Sequence, residues 1–155
     1  MRVLLLHGLE ATPGGSKAEL LAAKGCTVIN PALPKESWKR SLEIAQSAVD
    51  EHTPDVIVGS SRGGAVAMNV SAGGTPRVLI APAWRHYGTA TRAPAGTRIL
   101  HSDRDDVIPI AHSRELLTAS GLPDDALVVV GDDHRMRDPA ALDALWEAVS
   151  RATRA

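Results

Sequence analysis

The sequence is poor in aromatic residues and in cysteine. It contains no phenylalanine, one tyrosine and one cysteine. A single thiol, Cys26, excludes a disulfide within the chain, and its place at the start of an apolar run predicts a buried or half-buried side chain without chemistry of its own. The lack of phenylalanine indicates compositional bias, and we infer no function from it.

Long hydrophobic runs and an excess of one charge are also missing. No window approaches the roughly 18 consecutive apolar residues of a membrane span, and the apolar run in MRVLLLHGLE is too short for the core of a signal peptide. The formal net charge of -1 at pH 7 gives no electrostatic reason to expect nucleic acid or an anionic membrane as a partner. We therefore expect a cytoplasmic protein that binds neither.

Short apolar runs rich in Val, Ile and Leu alternate with helix-like segments over the whole chain. The predicted strands are residues 2–8, 26–30, 55–60, 77–83, 97–103 and 126–133. Their apolar residues are consecutive rather than alternating, which is typical of strands buried on both faces of a parallel sheet. The predicted architecture is one α/β domain over residues 1–155, with three α/β/α layers and a mainly parallel six-stranded sheet.

The segments between these strands have helical patterns. The predicted helices are residues 16–25, 36–52, 62–74, 110–121 and 138–152. Ser16 and Glu19 have the spacing of a capping box at the start of the first helix, and Pro139 suits the first turn of the last. Strand–helix alternation predicts right-handed crossovers that cover the sheet on both sides.

The glycine-rich turn GSSRGG, residues 59–64, follows an apolar strand and precedes a helix. A phosphate-binding loop of the form G-x-x-x-x-G-K-[ST] needs a lysine, which this turn lacks. Gly59, Ser61 and Gly63 instead match G-x-S-x-G, in which a sharp bend exposes a nucleophilic serine. The two glycines relieve crowding between strand and helix, and Ser60 is expected to be a supporting residue.

A serine nucleophile needs a base and an acid that orients the base. After Ser61, the fifth predicted strand ends in HSDRDDVIP, which offers Asp103, Asp105 and Asp106. The sixth predicted strand ends in GDDHRM, which offers His134. Because functional loops of open parallel sheets lie at the carboxyl ends of the strands, these groups are expected to converge. The residues alone leave the acid open among the three aspartates.

An acyl-transfer site also needs two N–H donors for the oxyanion of the tetrahedral intermediate. The amide of Arg62, directly after the candidate nucleophile, is one predicted donor. The amide of Leu9, in the loop after LLLHG, is the other. His7 is expected to shape this turn without reacting.

Four motifs, HGLE, GSSRGG, HSDRDDVIP and GDDHRM, resemble in order and spacing those of the α/β-hydrolase fold. More narrowly, LLLHGLEATPGGSKAELL, NPALP, VGSSRGG and a histidine on GDDH resemble the small bacterial YqiA-like esterases. The resemblance implies Ser61 as nucleophile and His134 as base. It implies Asp105 as the acid, since Asp105 occupies the acidic position of the family pattern H-G-x-x-D-x-x-V-P, from which the chain departs with Ser102 in place of glycine.

Larger members of the fold carry a helical cap after the fourth of these strands, whereas this chain has only residues 84–96 at that place. We therefore expect a minimal, cap-less hydrolase. The candidate substrate contacts near the site are Trp84, His86, Tyr87 and Glu10. Arg62 is expected to be a solvated residue at the helix start or a partner of Glu10, the alternative being a cation that favours an acidic or CoA-like substrate.

The resulting expectation is a carboxylesterase or thioesterase that acts on small or flexible acyl substrates through an acyl-enzyme. Its partner is then a small-molecule ester or thioester, and it needs no cofactor and no metal. Two alternatives share the fold. One is a ligand-binding or signalling protein with slow or no turnover, and the other is a lactone hydrolase.

Overall fold

The computed structural model describes residues 1–152. Its strands are β1 (Arg2–Leu6), β2 (Thr27–Ile29), β3 (Val56–Ser60), β4 (Arg77–Ile80), β5 (Arg98–His101) and β6 (Leu127–Val129). They form one sheet in the order β2-β1-β3-β4-β5-β6, and every neighbouring pair is parallel. The predicted parallel six-stranded sheet is therefore confirmed.

Within residues 1–152, five α-helices pack on this sheet. They are α1 (Gly15–Ala23), α2 (Trp38–His52), α3 (Arg62–Asn69), α4 (Ile110–Ala119) and α5 (Pro139–Ala152). One apolar cluster joins α2, α3 and α4 to one face of the sheet, and a second joins α1 and α5 to the other. The three-layer α/β/α architecture is thus also confirmed.

Strand β1 shows why the predicted strands are apolar without interruption. Leu4 and Leu6 point into the cluster with α2, α3 and α4, whereas Val3 and Leu5 point into the cluster with α1 and α5. Successive side chains of a strand point to opposite faces, and both faces here are covered. All four side chains are consequently buried.

The start of α1 differs from the prediction. The helix begins at Gly15 after Gly14, without a side-chain cap, so the predicted capping box of Ser16 and Glu19 is wrong. The amide of Gly14 instead donates to Asn30 Oδ1 at 2.7 Å, which is a contact from the loop after β2. A side chain from a distant part of the chain thus accepts a hydrogen bond from a backbone amide at the start of the helix, where a cap by neighbouring residues was expected.

The strand order reverses between β1 and β3, because β2 lies on one side of β1 and the rest of the chain on the other. Ligands of open α/β sheets bind at such a reversal, beside the carboxyl ends of the strands. The loops after β1 and β3 therefore adjoin at the place where a site is expected. Within residues 1–152, none of the helices has the length and apolar character needed to cross a membrane.

Candidate active site

Ser61 occupies a strained bend between β3 and α3. Its backbone angles are φ 56 and ψ -116, a region that L residues rarely adopt. The bend is held from outside the helix: the Ser61 amide donates to the Ile80 carbonyl at 2.8 Å, and the Ser61 carbonyl accepts from the Ala83 amide at 2.9 Å. The segment at the end of β4 thereby keeps the serine at the carboxyl edge of the sheet.

The glycines that flank this bend allow α3 to lie against the sheet. A Cβ at Gly59 would stand 2.7 Å from the carbonyl carbon of Gly63, and a Cβ at Gly63 would stand 2.6 Å from the carbonyl carbon of Leu6. Both neighbours are backbone atoms and cannot yield as a flexible side chain could. The predicted role of Gly59 and Gly63 in relieving crowding is confirmed.

Three predicted side chains meet at this edge in a hydrogen-bonded row. His134, in the loop between β6 and α5, places Nε2 3.0 Å from Ser61 Oγ and Nδ1 2.7 Å from Asp105 Oδ2. A carboxylate can only accept, so Nδ1 carries the proton and Nε2 accepts from the serine hydroxyl. This is the protonation state that a general base beside a serine requires.

Asp105, and neither of its two acidic neighbours, faces His134. Asp103 and Asp106 are exposed, whereas the Asp105 side chain is 0% exposed. Its other oxygen, Oδ1, accepts from the amides of Val107 and Ile108, each at 2.8 Å. Of the three aspartates that the residues alone left open, Asp105 is the one that bonds His134, and its role as the acid stays a prediction.

The environment of Asp105 favours its ionised form. Burial acts to raise the pKa of this carboxyl, but hydrogen bonds from His101, His134 and the amides of Ile108 and Val107 outweigh it and hold the pKa below its usual range. Asp105 is therefore charged at neutral pH and can stabilise an imidazolium at His134.

His101 was not among the predicted site residues, although it touches the acid. Its Nε2 lies 3.2 Å from Asp105 Oδ2, and its side chain is 0% exposed. In the sequence it was interpreted as a structural residue at the end of a strand, although it also occupies the histidine position of the pattern H-G-x-x-D-x-x-V-P. Its position four residues before Asp105 was a signal in the sequence. In an irregular loop, however, that spacing does not determine whether the two side chains face each other.

The loop after β1 lies against the candidate nucleophile, as predicted for an oxyanion site. A Cβ at Gly8 would be 3.4 Å from Ser61 Cβ, and Leu9 follows directly. Arg62 is the first residue of α3, so its amide belongs to the end of the helix where intrahelical acceptors are lacking. The predicted use of the Leu9 and Arg62 amides for the oxyanion stays a prediction.

His7 shapes the turn that carries Leu9. Its Nδ1 lies 2.8 Å from the Gly8 carbonyl, and its Nε2 accepts from the Leu33 amide at 3.0 Å. Both ring nitrogens are engaged, and the side chain is buried. The expectation that His7 supports the turn through a satisfied imidazole is confirmed.

The side chain of Arg62 is not solvated, which corrects the prediction. It is 3% exposed and donates from Nη1 to Ser41 Oγ at 3.1 Å and from Nη2 to the Pro34 carbonyl at 3.3 Å. Its guanidinium carbon lies 5.8 Å from the Trp38 ring centroid and 5.4 Å from that of Tyr87. Arg62 therefore lies beside two aromatic rings and ties α3 to α2 and to the loop before it.

The predicted pairing of Arg62 with Glu10 is also wrong, because Glu10 pairs with Lys35 at 2.8 Å. Both of these side chains are largely exposed. The pair joins the loop after β1 to the loop before α2, beside the turn that carries Leu9. A contact of Glu10 with substrate stays a prediction.

The three aromatic and histidine candidates after β4 have different surroundings. Tyr87 stacks on Trp38, with ring centroids 5.6 Å apart. Trp84 donates from Nε1 to the His112 carbonyl at 2.9 Å, which fixes it against α4, while His86 is exposed. The segment from 81 to 97 forms turns and irregular loop, as expected for a cap-less chain.

A cavity of about 430 Å³ opens between the loops after β1 and β2 and the start of α2. Most of its lining is apolar, including Leu33, Pro34 and Ile44, although Arg40 also lines it, and it shares His7 with the turn beside Ser61. Ser61 is not among its lining residues. An apolar lining suits hydrocarbon groups better than charged ones.

Several solved structures share this fold. A protein from Xanthomonas campestris, described as belonging to the alpha/beta hydrolase superfamily, superposes with a TM-score of 0.70 at 23% identity over 99% of this chain and 98% of that chain. The monoacylglycerol lipase of Paleococcus ferrophilus gives a TM-score of 0.74 at 17% identity over 99% and 94%. Est1E from Butyrivibrio proteoclasticus gives 0.72 at 16% identity over 97% and 85%.

At these identities the likeness establishes the fold and not the activity. The chain has the α/β-hydrolase fold, as the order and spacing of its motifs predicted. No protein-family model matches the sequence, and no curated protein matches it at a significant level. The narrower resemblance to the YqiA-like esterases stays a prediction.

Proposed function

We propose that this chain is a serine hydrolase that cleaves carboxylic ester or thioester bonds of small or flexible acyl substrates. The observation that carries the proposal is the row of hydrogen bonds from Ser61 through His134 to Asp105, at 3.0 and 2.7 Å. The strained bend at Ser61 adds support, because such strain is typical of functional positions.

In the proposed reaction, Ser61 Oγ attacks the carbonyl carbon while His134 Nε2 takes the hydroxyl proton. Asp105 keeps the proton on Nδ1 and stabilises the imidazolium that forms. The amides of Leu9 and Arg62 hold the negative charge on the carbonyl oxygen of the tetrahedral intermediate.

Collapse of that intermediate breaks the bond to the leaving alcohol or thiol, which receives the proton from His134. A water molecule then attacks the acyl-enzyme, giving its proton to His134, and Ser61 recovers it as the acid leaves. Each step conserves charge and protons with the side chains present. The chemistry needs no metal or cofactor.

The surroundings of the site support an apolar acyl substrate rather than a strongly anionic one. Arg62 is the cation next to Ser61 in the sequence, but its guanidinium is buried under Trp38 and Tyr87. The cavity beside the β1 turn, which Ser61 does not line, is mostly apolar, with Arg40 as a charged residue in its lining. We therefore favour hydrocarbon acyl groups over acidic or CoA-directed recognition by Arg62.

The proposal is tested by reacting the folded protein with a fluorophosphonate probe and locating the adduct by mass spectrometry. We expect labelling at Ser61 and turnover of p-nitrophenyl esters, with Ser61→Ala losing the label and at least about 10³ of kcat. Ser60→Ala is the matched control and is expected to keep both.

A folded wild-type protein that the probe does not label would contradict the catalytic proposal. Labelling of Ser61 without turnover of esters, thioesters or lactones would instead favour a ligand-binding protein with this site. Comparing p-nitrophenyl esters of increasing chain length with the matching thioesters then separates the two substrate classes.

A further inference from the structure

Two imidazoles share one oxygen of the Asp105 carboxylate. Asp105 Oδ2 lies 2.7 Å from His134 Nδ1 and 3.2 Å from His101 Nε2. The other oxygen already accepts two backbone amides. The buried carboxylate thus accepts three hydrogen bonds, from two amides and from His134. His101 Nε2 adds a longer polar contact at 3.2 Å, beside its hydrogen bond to the Ile108 carbonyl at 2.9 Å.

The contacts of His101 define which of its nitrogens carries a proton. Its Nε2 lies 2.9 Å from the Ile108 carbonyl as well as beside Asp105, and both of these groups can only accept. Nε2 is therefore protonated. Nδ1 lies 2.7 Å from Ser113 Oγ of α4, whose hydroxyl can donate to it in the neutral ring.

We propose that His101 is a positioning residue for the acid: its Nε2–H, which bonds the Ile108 carbonyl, also lies against Asp105 Oδ2 and keeps that oxygen in line with His134 Nδ1, and Ser113 holds the ring of His101 in that orientation. The catalytic consequence rests on the proposed function. The positioning itself is a property of the folded protein and can be measured without turnover.

The physical need for such a residue follows from where Asp105 lies. The loop after β5 that carries it has no regular hydrogen-bond ladder, so the two amides at Oδ1 fix only one end of the carboxylate. A carboxylate held at one oxygen can swing about that end and misalign the base. Errors of about 1 Å in such groups cost on the order of 100-fold in rate.

His101 is suited to this task by its complete burial and by the anchoring of its neighbours. The His101 and Ser113 side chains are both 0% exposed, so water does not compete for their hydrogen bonds. His101 ends β5 and Ser113 lies on α4, and both elements are parts of the packed domain. The ring is therefore fixed by both the sheet and α4, and its contact with Asp105 restrains the position of that carboxylate.

The test compares His101→Gln with His101→Leu. The Gln side chain can place its amide N–H where Nε2–H stood, whereas Leu supplies no donor. We expect His101→Leu to reduce kcat for a p-nitrophenyl ester by about 10- to 100-fold with KM within about twofold. His101→Gln is expected to retain kcat within about threefold of the wild type.

A second readout is the low-field proton resonance of the His134–Asp105 hydrogen bond in the NMR spectrum. We expect the wild type and His101→Gln to show it and His101→Leu to lose it or broaden it, because the carboxylate no longer stays in line. This resonance exists whether or not the protein turns over an ester. Failure of the proposed function therefore leaves the positioning inference open to measurement.

Folding is checked by urea unfolding of each variant. Should His101→Leu fail to fold, His101→Asn replaces it, since its amide is one bond shorter than that of Gln and lies nearer Ser113 than Asp105. A folded His101→Leu or His101→Asn with the kcat and the low-field resonance of the wild type would overturn the proposal. Equal losses of kcat in the Gln and Leu variants would overturn it as well.

Discussion

At the scale of single residues, the environment of Asp105 shows how one carboxyl becomes different from its neighbours. Asp103 and Asp106 are exposed, and water solvates their charge. Asp105 has lost that solvation, and hydrogen bonds from two imidazoles and two amides replace it. The position of its carboxylate is therefore fixed, with one oxygen facing His134, as a residue that orients the imidazole requires.

The assignment of the acid predicts the effect of Asp105→Asn on ester hydrolysis. The amide has no charge to stabilise an imidazolium, and its N–H can reverse the protonation of His134 so that Nε2 no longer accepts from Ser61. We expect kcat to fall by at least about 10³. The measurement is turnover of a p-nitrophenyl ester under saturating conditions.

Asp106→Asn is the matched control, since this carboxyl is exposed and touches neither histidine. It is expected to keep the kcat of the wild type within about twofold. Full activity in Asp105→Asn, together with a loss in Asp106→Asn or Asp103→Asn, would transfer the role of the acid to that neighbour.

At the scale of elements, the approach of α3 to β1 and β3 positions the candidate nucleophile. Gly63 lies where a Cβ would contact the carbonyl groups of Leu6 and His7, and Gly64 lies close to Pro82 after β4. The helix can therefore lie directly on the strand ends. Ser61 and the amide of Arg62 owe their positions to that short separation.

Gly63→Ala is consequently expected to destabilise the fold. Alanine favours a helix over glycine by about 1 kcal/mol, but its methyl would meet backbone of β1 and push α3 outward. We expect a net loss of about 1–3 kcal/mol in the free energy of unfolding. Urea unfolding measures the loss, and slower labelling of Ser61 reports the displaced bend.

Gly74→Ala is the control for this substitution, because a Cβ at Gly74 would meet nothing within 4 Å and its φ lies outside the left-handed region. It is expected to change the free energy of unfolding by less than about 0.5 kcal/mol. Equal stabilities of the two variants would show that α3 does not depend on the close approach.

At the scale of the whole molecule, a lysine joins helix α1 to the loop that carries His134. Lys17 of α1, which follows the loop of Leu9, donates from Nζ to the Arg135 carbonyl at 2.7 Å. Arg135 follows His134 in the loop after β6. Burial of the ammonium, together with the nearby Arg137, lowers the pKa of Lys17 to about 8, although Asp133 acts to raise it.

This shift predicts how stability changes with pH. The pKa of Lys17 is about 8 in the folded protein against 10.5 for an ordinary lysine, so between these pH values the unfolded chain holds more protons than the folded one. The free energy of unfolding then rises with pH over that interval and is level, for this group, below and above it.

The measurement is urea unfolding at intervals from pH 7 to pH 10. Relative to Lys17→Met, the wild type is expected to gain stability as the pH rises past about 8. Lys39→Met removes an exposed lysine and is expected to show the same rise as the wild type. A constant difference between the wild type and Lys17→Met across this range would contradict the prediction.

The features that sequence reasoning predicted correctly depend on neighbours in the chain. The continuous apolar runs require two covered faces, and a Cβ at Gly59 would meet the backbone of Gly63 and Gly64, which the G-x-S-x-G spacing itself brings close. These relations hold in any chain that makes a strand, a bend and a helix in that order. The strands, the helices and the candidate nucleophile were therefore predictable.

The features that it missed depend on groups far apart in the chain. Arg62 was expected at the surface, but Trp38, Tyr87 and the Pro34 carbonyl enclose it from other elements. The predicted capping box at Ser16 is absent because the helix begins one residue earlier, at Gly15, and Asn30 bonds the amide of Gly14 before it. A local sequence pattern cannot predict such contacts, because the residues that make them become neighbours only through the strand order of the sheet.

The sequence by itself determined that this protein folds as an α/β domain with a parallel sheet and that a serine lies on a sharp bend after one of its strands. The signals for both are local, because the apolar runs and the glycines that flank the serine are close together in the chain. The family resemblance implied Asp105 as the acid, but only the tertiary structure shows that Asp105 rather than Asp103 or Asp106 faces His134, and that His101 lies against the same carboxylate. The physical reason is that hydrogen bonding depends on distance and direction. The loops after β3, β5 and β6 reach these distances and directions only when the sheet has formed in the order β3-β4-β5-β6.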